Sequence, residues 1–430
     1  MALTAIDTHR APTRKFLIEG GYTLYGDYPV QGNKNAALPL ICAALLARSR
    51  VVLNRVPRID DVENLLRLVR VVGVEAEWQG ETLHLDSSGL KPEQLPADLV
   101  EKLRGAILLL GPLAAAFDRV SCVSPGGCPI GRRSFDVHWS VLEAAGFRVR
   151  EDSSSIDIFK SRQVEDPVVY LEEASVTATE NALILFAALG GGTIRNPARE
   201  PHVLAVVDFL RNLGCRIELH PLYYRVLNGV GEPGEEIEFD VPPDYIDAGT
   251  LAIATAVTHG SVRLLGVGQQ DLMGVIPVLE RFGIEFRDCE EGLQVEASRM
   301  VSPSQLTAGP WPLFPTDLVS LVIVLATQAQ GLCLVHDWMY EARMFFVDKL
   351  VRMGARITMC DPHRVLVEGP RRLRGKQLES PDIRAGMALL VAGLCAQGDT
   401  RIEHAEVVLR GYENVVGRLR GVGARIRGES

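Results

Sequence analysis

The stretch VVDFLRNLGCRIEL, residues 206–219, decides the fold because its pattern returns throughout the chain. Its first half has apolar residues at helical spacing, Gly214 follows, and the last residues alternate as a strand does. Related stretches place a glycine at the same point, and these glycines are Gly73, Gly146, Gly283, Gly354 and Gly423. Successive glycines of the six are 73, 68, 69, 71 and 69 residues apart. This regularity predicts six copies of one structural unit.

A second sequence pattern recurs at the same spacing as the glycines. A turn of small residues leads into a short β-rich run, as in GGTIRNPA (191–198) and GSVRLLGV (260–267). An Ala- and Leu-rich helical stretch precedes most copies, as in AGMALLVAGLCA (385–396). Each unit is therefore expected to hold two helices and three or four strands. Units of this size that mix buried helices with strands favour a closed α/β globule over a solenoid.

Two segments are the natural domain boundaries, QGNKN (31–35) and DVPPDY (240–245). They enclose three units and leave three others together with the N-terminal strand. We therefore expect one domain from residues 34–241 and a second, discontinuous domain from residues 1–33 plus 242–430. The active site is expected in the cleft between these two pseudo-threefold halves.

Composition excludes several classes of protein. The chain has 430 residues, of which 47% are hydrophobic and 23% charged, so disordered and fibrous classes are excluded. Its net charge of -9 argues against a nucleic-acid partner but allows a local basic pocket. No apolar run approaches the roughly 20 residues of a membrane span. The first fifteen residues lack the apolar segment of a secretory signal. A cytoplasmic protein with no membrane partner is expected.

The eight cysteines form no CxxC pair, so they are interpreted as reduced thiols and not as zinc ligands. Neither an HExxH motif nor a glycine-rich phosphate loop is present. An anionic ligand would therefore have to be held by lysine and arginine.

The stretch SPGGCPIGRRSFDVHW (124–139) is the most unusual of the chain. Its glycines predict a flexible loop with Cys128 at the tip, beside Arg132 and Arg133. Neighbouring guanidinium groups lower a thiol pKa, which suits a nucleophile or a general acid. The alternative is an incidental surface thiol.

Several cations lie near predicted helix starts. Lys34 comes just before a helix predicted to begin near Ala36, where a lysine and backbone donors together form an anion site. Arg384 and Arg410 are each expected beside a helix start, which is unfavourable for the helix dipole and indicates an anionic ligand. Arg104 is a lone cation ahead of an apolar run. Taken singly, each could equally be an ordinary solvated side chain.

Asp317 is expected at the start of an apolar helix. It is either an N-terminal helix residue or a base that removes the proton of a substrate hydroxyl. The polar clusters SVTATEN (175–181) and NPAREPHV (196–203) have the same alternatives, capping or ligand binding.

These motifs together carry a family resemblance. GNKNAALP, LRGAILLLGPL, PGGCPIGRR followed by DVH, AREP, FPTD, DIRA and RGYE occur in family order over essentially the full length. The chain resembles the UDP-N-acetylglucosamine enolpyruvyl transferases and, more distantly, EPSP synthase. The resemblance implies an inverse α/β barrel with six βαβαββ-type units in two lobes.

The resemblance also implies a reaction, the first committed step of peptidoglycan precursor synthesis. Asp317 would deprotonate the 3-hydroxyl of UDP-N-acetylglucosamine, which adds to phosphoenolpyruvate before phosphate leaves. Cys128 would act as general acid, could carry a covalent adduct with phosphoenolpyruvate, and would be the site of fosfomycin inactivation. No metal or organic cofactor and no oligomer is implied. The residues implied to hold phosphoenolpyruvate are Lys34, Arg104, Arg133, Arg384 and Arg410. Those implied to contact the acceptor are Asn35, Asp136, Ser175, Val176, Thr177, Asp317 and Met339.

The sequence departs from the family pattern on the acceptor side. Glu173 stands where a cation is usual, Thr177 where a glycine is usual, and Ala342 where an asparagine is usual. An alternative acceptor such as UMP, as in nucleoside antibiotic synthesis, therefore stays open. A catalytically silent paralogue is disfavoured by the joint presence of Lys34, Cys128 and Asp317 with the arginines. EPSP synthase activity is disfavoured because that enzyme lacks the PGGC loop.

Overall fold

The computed structural model describes residues 14–126, 134–152, 155–232, 234 and 236–429. Its strands are β1 (Lys15–Glu19), β2 (Tyr25–Pro29), β3 (Arg50–Asn54), β4 (Glu75–Gln79), β5 (Thr82–Asp86), β6 (Arg119–Cys122), β7 (Phe147–Glu151), β8 (Ile156–Lys160), β9 (Val168–Tyr170), β10 (Gly192–Arg195), β11 (Ile217–His220), β12 (Tyr223–Val226), β13 (Ile237–Asp240), β14 (Ser261–Leu265), β15 (Ile284–Cys289), β16 (Gly292–Ala297), β17 (Gln305–Ala308), β18 (Gly331–Asp337), β19 (Arg356–Asp361), β20 (Arg364–Gly369), β21 (Gln377–Glu379), β22 (Asp399–Glu403) and β23 (Arg425–Glu429).

The α-helices are α1 (Lys34–Ala44), α2 (Asp60–Val71), α3 (Ala97–Val100), α4 (Leu110–Phe117), α5 (Asp136–Ala144), α6 (Val176–Leu189), α7 (Pro201–Asn212), α8 (Tyr245–Val257), α9 (Ile276–Glu280), α10 (Val319–Gln328), α11 (Val347–Arg352), α12 (Ile383–Cys395), α13 (Glu406–Leu409) and α14 (Val415–Gly421). Three 3-10 turns cover Arg104–Leu109, Gln269–Leu272 and Thr316–Leu318.

Within the described residues the strands form six small sheets. Five sheets have four strands and one pattern of neighbours, in which a parallel pair is followed by two antiparallel pairings. Their strand orders are β13-β3-β5-β4, β9-β10-β12-β11, β2-β14-β16-β15, β17-β18-β20-β19 and β21-β22-β1-β23. The sixth, β6-β8-β7, has the antiparallel part alone. A mixed α/β fold is thereby confirmed.

The predicted succession of helix, glycine and strand is present in all six copies of the repeated unit. The six glycines follow helices α2, α5, α7, α9, α11 and α14, and each precedes a strand. Their φ angles lie between +87° and +106°, in the left-handed region that glycine adopts at low cost and that ends many helices. The second pattern, a buried helix followed by a short strand, is present too. Its strands are β3, β6, β10, β14, β18 and β22.

The buried apolar side chains form two separate clusters. One contains residues between Ala36 and Val241, and the other contains Phe16–Val30 together with residues from Tyr245 to Ile426. The two connecting segments lie side by side, since Asn33 N donates to Pro242 O (2.8 Å) and Asp244 N donates to Gln31 O (2.9 Å). The chain therefore passes twice between the two clusters at one place.

One predicted boundary was wrong by two residues. Helix α1 begins at Lys34 and not near Ala36, because the side chain of Asn33 caps it by accepting from Asn35 N (2.8 Å) and Ala36 N (3.3 Å). Lys34 is thus the first residue of the helix. Nowhere in the described ranges does a helix have the length and apolarity to cross a membrane.

Candidate active site

A cavity of about 860 Å³ is lined by residues of both clusters. It brings together Lys34, Arg104, Asp317, Arg384 and Arg410, which come from five segments far apart in the chain. Each of these residues was selected from the sequence as a candidate. Their convergence makes this cavity the candidate active site.

Asp317 lies in the 3-10 turn that leads into α10, and its side chain does not cap the helix. Its Oδ2 accepts from Arg384 Nη2 (2.9 Å) and Nε (3.2 Å), and its Oδ1 accepts from Arg343 Nη2 (3.1 Å). Burial by itself would raise the pKa of Asp317, but the guanidiniums of Arg384 and Arg343 hold that pKa well below its usual range. Asp317 is thus an N-terminal helix residue, as one of its two interpretations had it, but its carboxylate binds two arginines and does not cap the helix.

A second carboxylate binds two other cations of the cavity. Asp61, in the first turn of α2, lies 2.6 Å from Lys34 Nζ through Oδ2, and its Oδ1 accepts from Arg410 Nε (2.8 Å). Both Asp61 and Lys34 are buried. Burial opposes ionisation of Asp61, but the two cations outweigh it and lower its pKa. Lys34 is therefore not a solvated surface lysine.

The two arginines expected at helix starts differ in the structure. Arg384 does lie in the first turn of α12, whose cap Asp382 accepts from Arg384 N at 2.8 Å. Arg410 instead directly follows the C-terminus of α13, so its predicted position beside a helix start is wrong. A cation is favourable at a helix C-terminus, so the dipole argument does not apply to Arg410. Its ion pair with Asp61 is what directs it to the cavity.

Arg104 begins the 3-10 turn of residues 104–109, as its place ahead of an apolar run suggested. Its guanidinium carbon lies 4.2 Å from the centre of the Phe135 ring, and its Nη2 donates to Ser134 O at 3.3 Å. These contacts hold the cation at the wall of the cavity.

Most residues predicted to contact the acceptor also line the cavity. They are Asn35, Ser175, Val176, Thr177 and Met339. Ser175 has the capping role considered for its cluster, because its hydroxyl caps α6 by accepting from Ala178 N (3.4 Å), and its predicted contact with the acceptor stays a prediction. Asp136 is an exception, since it is exposed at the start of α5 and is not among the lining residues. The expectation that Asp136 lies with the others is wrong for this conformation.

Two predicted site residues, Cys128 and Arg133, lie outside the described residues. Their roles stay predictions. The seven cysteines that the structure describes are free thiols. Cys122, the nearest of them in sequence to Cys128, is buried, and burial raises the pKa of its thiol to about 12.

The cavity also contains residues that sequence reasoning missed. Asp61 is one of three acidic residues in the first turn of α2, where acidic residues are ordinary. Glu180, Glu200 and His202 fell within the polar clusters 175–181 and 196–203 without being singled out. His202 stacks on Tyr245 with ring centres 6.1 Å apart, and burial lowers its pKa to about 4. No local pattern separates these side chains from ordinary capping residues.

Comparison with known proteins defines the class. A sequence profile of the family EPSP synthase (3-phosphoshikimate 1-carboxyvinyltransferase) matches residues 18–419. The chain belongs to this family of enolpyruvyl transferases, which confirms the resemblance and the enzyme class inferred from the motifs.

The curated relatives include two proteins named UDP-N-acetylglucosamine 1-carboxyvinyltransferase. The one from Bradyrhizobium diazoefficiens is 42% identical over 423 residues, covering 96% of this chain and 97% of its own. The one from Treponema denticola is 38% identical, covering 96% and 98%.

Solved structures of the same family agree in fold. The enolpyruvyl transferase NikO from Streptomyces tendae has a TM-score of 0.86 at 25% identity and covers 97% of this chain and 99% of its own. An EPSP synthase from Acinetobacter baumannii has a TM-score of 0.76 at 18% identity, covering 97% and 100%, and is informative for the fold alone. The two-domain α/β architecture of these enzymes is the architecture of this chain.

Proposed function

We propose that this protein transfers the enolpyruvyl group of phosphoenolpyruvate to the 3-hydroxyl of UDP-N-acetylglucosamine, with release of phosphate. The observation that carries the proposal is the convergence of Asp317 with Lys34, Arg384 and Arg410 in one cavity. A carboxylate beside several cations suits a reaction that removes a hydroxyl proton next to an anionic co-substrate.

The acceptor is assigned from the relatives. Proteins named for UDP-N-acetylglucosamine are 42% and 38% identical to this chain, whereas NikO is 25% identical. The departures at Glu173, Thr177 and Ala342 do not outweigh this difference. UMP and shikimate 3-phosphate are therefore comparison acceptors in the assay.

Phosphoenolpyruvate is held by cations that now pair with protein carboxylates. Lys34 and Arg410 are bound to Asp61, and Arg384 is bound to Asp317. An incoming phosphate and carboxylate compete with Asp61 and Asp317 for these cations, and Arg104 and Arg133 complete the set. These ion pairs keep the cations oriented without leaving several like charges unpaired.

Arg384 controls the strength of the base. While Arg384 and Arg343 both bind Asp317, the low pKa of its carboxyl makes it a poor proton acceptor. When Arg384 turns to the phosphate, the pKa of Asp317 rises and the carboxylate can take the proton of the 3-hydroxyl. Binding of the anionic co-substrate thus activates the base.

The chemistry is addition followed by elimination. The acceptor oxygen forms a bond to C2 of phosphoenolpyruvate while Cys128 supplies a proton to C3. Loss of a C3 proton and departure of phosphate from C2 then restore the double bond. The cations around the cavity stabilise the phosphate as it leaves.

The acceptor lies along Asn35, Ser175, Val176, Thr177 and Met339. These side chains supply amide, hydroxyl and apolar surface beside Asp317, as a sugar nucleotide requires.

We also propose the finer architecture. The six sheets are six βαβαββ-type units, three in residues 34–241 and three in residues 1–33 plus 242–430, forming an inverse α/β barrel with a pseudo-threefold arrangement in each domain. The two apolar clusters and the common strand pattern of five sheets support this division. The role in peptidoglycan precursor synthesis, the cytoplasmic location, the monomeric state and fosfomycin inactivation stay predictions.

The test is phosphate release from phosphoenolpyruvate, measured side by side with UDP-N-acetylglucosamine, UMP and shikimate 3-phosphate. Release with UDP-N-acetylglucosamine at the highest kcat/KM is expected. Release with UMP alone would assign the acceptor departures to a different substrate, and release with none of the three would contradict the enzymatic proposal.

A further inference from the structure

One wall of the cavity is acidic. Glu172, Glu173, Glu180 and Glu200 all line it, and all belong to the 34–241 part of the chain. The cations proposed to hold phosphoenolpyruvate that the structure describes are Lys34, Arg104, Arg384 and Arg410. A phosphate or carboxylate of a ligand is attracted to these cations and repelled by the glutamates. Arg199 also lines the cavity, next to Glu200 in the chain, so the surroundings of each glutamate decide which ligand group it can bind.

Glu180 differs from the other glutamates of this wall. It lies in the second turn of α6 and is only 1% exposed, whereas Glu172 and Glu173 are exposed. Glu200 is half-buried and has partners, since it accepts from Arg199 N at 2.9 Å. Glu180 Oε1 is buried and has no hydrogen-bond partner among the described residues. A buried polar atom without a partner is uncommon, and Glu180 is also one of the lining residues of the candidate active site.

Among the described residues no cation forms an ion pair with Glu180, although Arg199 lines the same cavity. Burial raises its pKa well above the ordinary value, and the carboxylate of Glu200 raises it further. Cys42 of α1 also faces Glu180, and burial together with Glu180 raises the pKa of that thiol. On neighbouring elements His138 is neutral, because burial lowers its pKa to about 3, and Lys34 is bound to Asp61. An isolated carboxylate in this place is unfavourable, so the side chain is the neutral acid.

A neutral carboxylic acid carries one O–H hydrogen-bond donor, which a carboxylate lacks. The partner of this O–H group must be an oxygen or nitrogen atom with a lone pair. That atom must also be uncharged, because the cations of the cavity attract anionic groups. The carbonyl and hydroxyl oxygens of a sugar nucleotide fit this description. Phosphoenolpyruvate does not, because its oxygens belong to anionic groups that the cations attract.

We propose that Glu180 is a specificity-determining residue that donates a hydrogen bond from its neutral carboxyl group to an uncharged oxygen of the acceptor. This inference rests on the proposed enolpyruvyl transfer, because it assigns a contact to the acceptor of that reaction. It adds a contact by which the enzyme selects acceptors with a carbonyl or hydroxyl group at this position.

The test compares Glu180→Gln, which keeps a donor but cannot ionise, with Glu180→Leu, which is apolar and similar in size. Exposed Glu143→Gln on α5 is the matched control. We expect Glu180→Leu to raise the KM for UDP-N-acetylglucosamine about tenfold, the effect of one lost hydrogen bond. Its KM for phosphoenolpyruvate and its kcat stay within about twofold of the wild type, as expected when uniform binding is lost. Glu180→Gln and the control keep the acceptor KM within about threefold of the wild type.

The pH dependence of the acceptor KM distinguishes a hydrogen-bond donor at position 180 from a side chain that only fills space. In the wild type the acceptor KM should rise at alkaline pH as Glu180 ionises, and in Glu180→Gln that rise should be absent. Infrared difference spectra between wild type and Glu180→Gln should contain the carbonyl band of a protonated acid without any ligand. Carboxylate bands in its place, or an unchanged acceptor KM in Glu180→Leu, would overturn the proposal.

Failure of the proposed function has a different signature. Wild-type protein without phosphate release from UDP-N-acetylglucosamine would contradict the function, and the Glu180 variants would then be measured with whichever acceptor is active. If no acceptor supports turnover, calorimetric binding of UDP-N-acetylglucosamine to wild type and Glu180→Leu decides the contact. Equal affinities, or no binding to either protein, would overturn it. A Glu180→Leu variant that does not fold leaves the infrared spectra and the pH profile of Glu180→Gln to decide.

Discussion

At the scale of single residues, two carboxylates organise the cations of the cavity. Asp61 binds Lys34 and Arg410, and Asp317 binds Arg343 and Arg384. Lys34, Arg384 and Arg410 are thereby held at the cavity. The arginines also keep the carboxyl of Asp317 ionised by lowering its pKa, so the proposed role as base requires a ligand to take one of them.

Asp317→Asn should lower kcat by about 10²–10⁴-fold, because it removes the proposed base and keeps the size of the side chain. Binding of UDP-N-acetylglucosamine, measured by calorimetry, should change little. Exposed Asp348→Asn on α11 is the control and should have wild-type kcat. A kcat near that of the wild type in Asp317→Asn would assign the base to another group.

Cys128→Ser should abolish any covalent adduct with phosphoenolpyruvate or fosfomycin, as detected by the mass of the intact protein. Cys122→Ser is the matched control and should still form the adduct, because burial raises the pKa of Cys122 to about 12 and leaves little thiolate. An adduct on Cys128→Ser protein would identify a different reactive thiol.

At the scale of the secondary-structure element, the succession of helix, glycine and strand is what repeats along the chain. The glycine lets the chain leave the helix in a left-handed conformation and enter the strand at once. Gly214 is an example, with a φ of +89° between α7 and β11. The periodicity predicted these elements well because each depends on residues close in sequence.

Gly214→Ala should lower the free energy of unfolding by about 1–2 kcal/mol, since a β-carbon is strained at this φ. The new Cβ would also lie 3.3 Å from Gly231 N. Gly421→Ala is the control, because Gly421 has open space around its Cβ position and a right-handed backbone, so an unchanged or slightly higher stability is expected. Urea unfolding of both variants makes the comparison, and equal stabilities would contradict the role of Gly214.

At the scale of the whole molecule, the cavity depends on how the two apolar clusters face each other. Arg410 reaches Asp61 across 349 residues of chain. The pKa values of Asp61 and Asp317 both lie below their ordinary value of 3.8 in the folded protein. Their ion pairs therefore stabilise the fold fully above that pH, and this stabilisation is lost as the pH falls through the lower folded-state pKa values.

Asp61→Asn should accordingly lower the free energy of unfolding by about 3 kcal/mol at neutral pH, because two cations lose a buried partner. The difference from wild type should shrink as the pH is lowered below 3.8. Asp98→Asn is the control, since its side chain is 72% exposed and pairs with the exposed Lys102, and a change below about 0.5 kcal/mol is expected. A constant Asp61→Asn difference at every pH would contradict the ion-pair explanation.

Sequence reasoning identified some residues of the candidate active site and missed others. Lys34, Asp317 and Arg384 could be selected because each stands out against its local pattern or belongs to a family motif. The position of Arg410 beside a helix start was wrong because the RGYE segment follows one short helix without beginning the next. Asp61 and Glu180 were not singled out, since an acidic residue in a helical turn is ordinary until its neighbours are known.

Short-range periodicity and motifs in a constant order were enough to predict the repeating units, the mixture of helices and strands in each unit, and the family. The three-dimensional contacts were needed to learn which carboxylate binds which cation, that Asp136 lies outside the cavity wall, and that Glu180 Oε1 is buried with no hydrogen-bond partner among the described residues. Those outcomes depend on desolvation and on contacts between separate segments of the chain, and the local sequence pattern indicates neither.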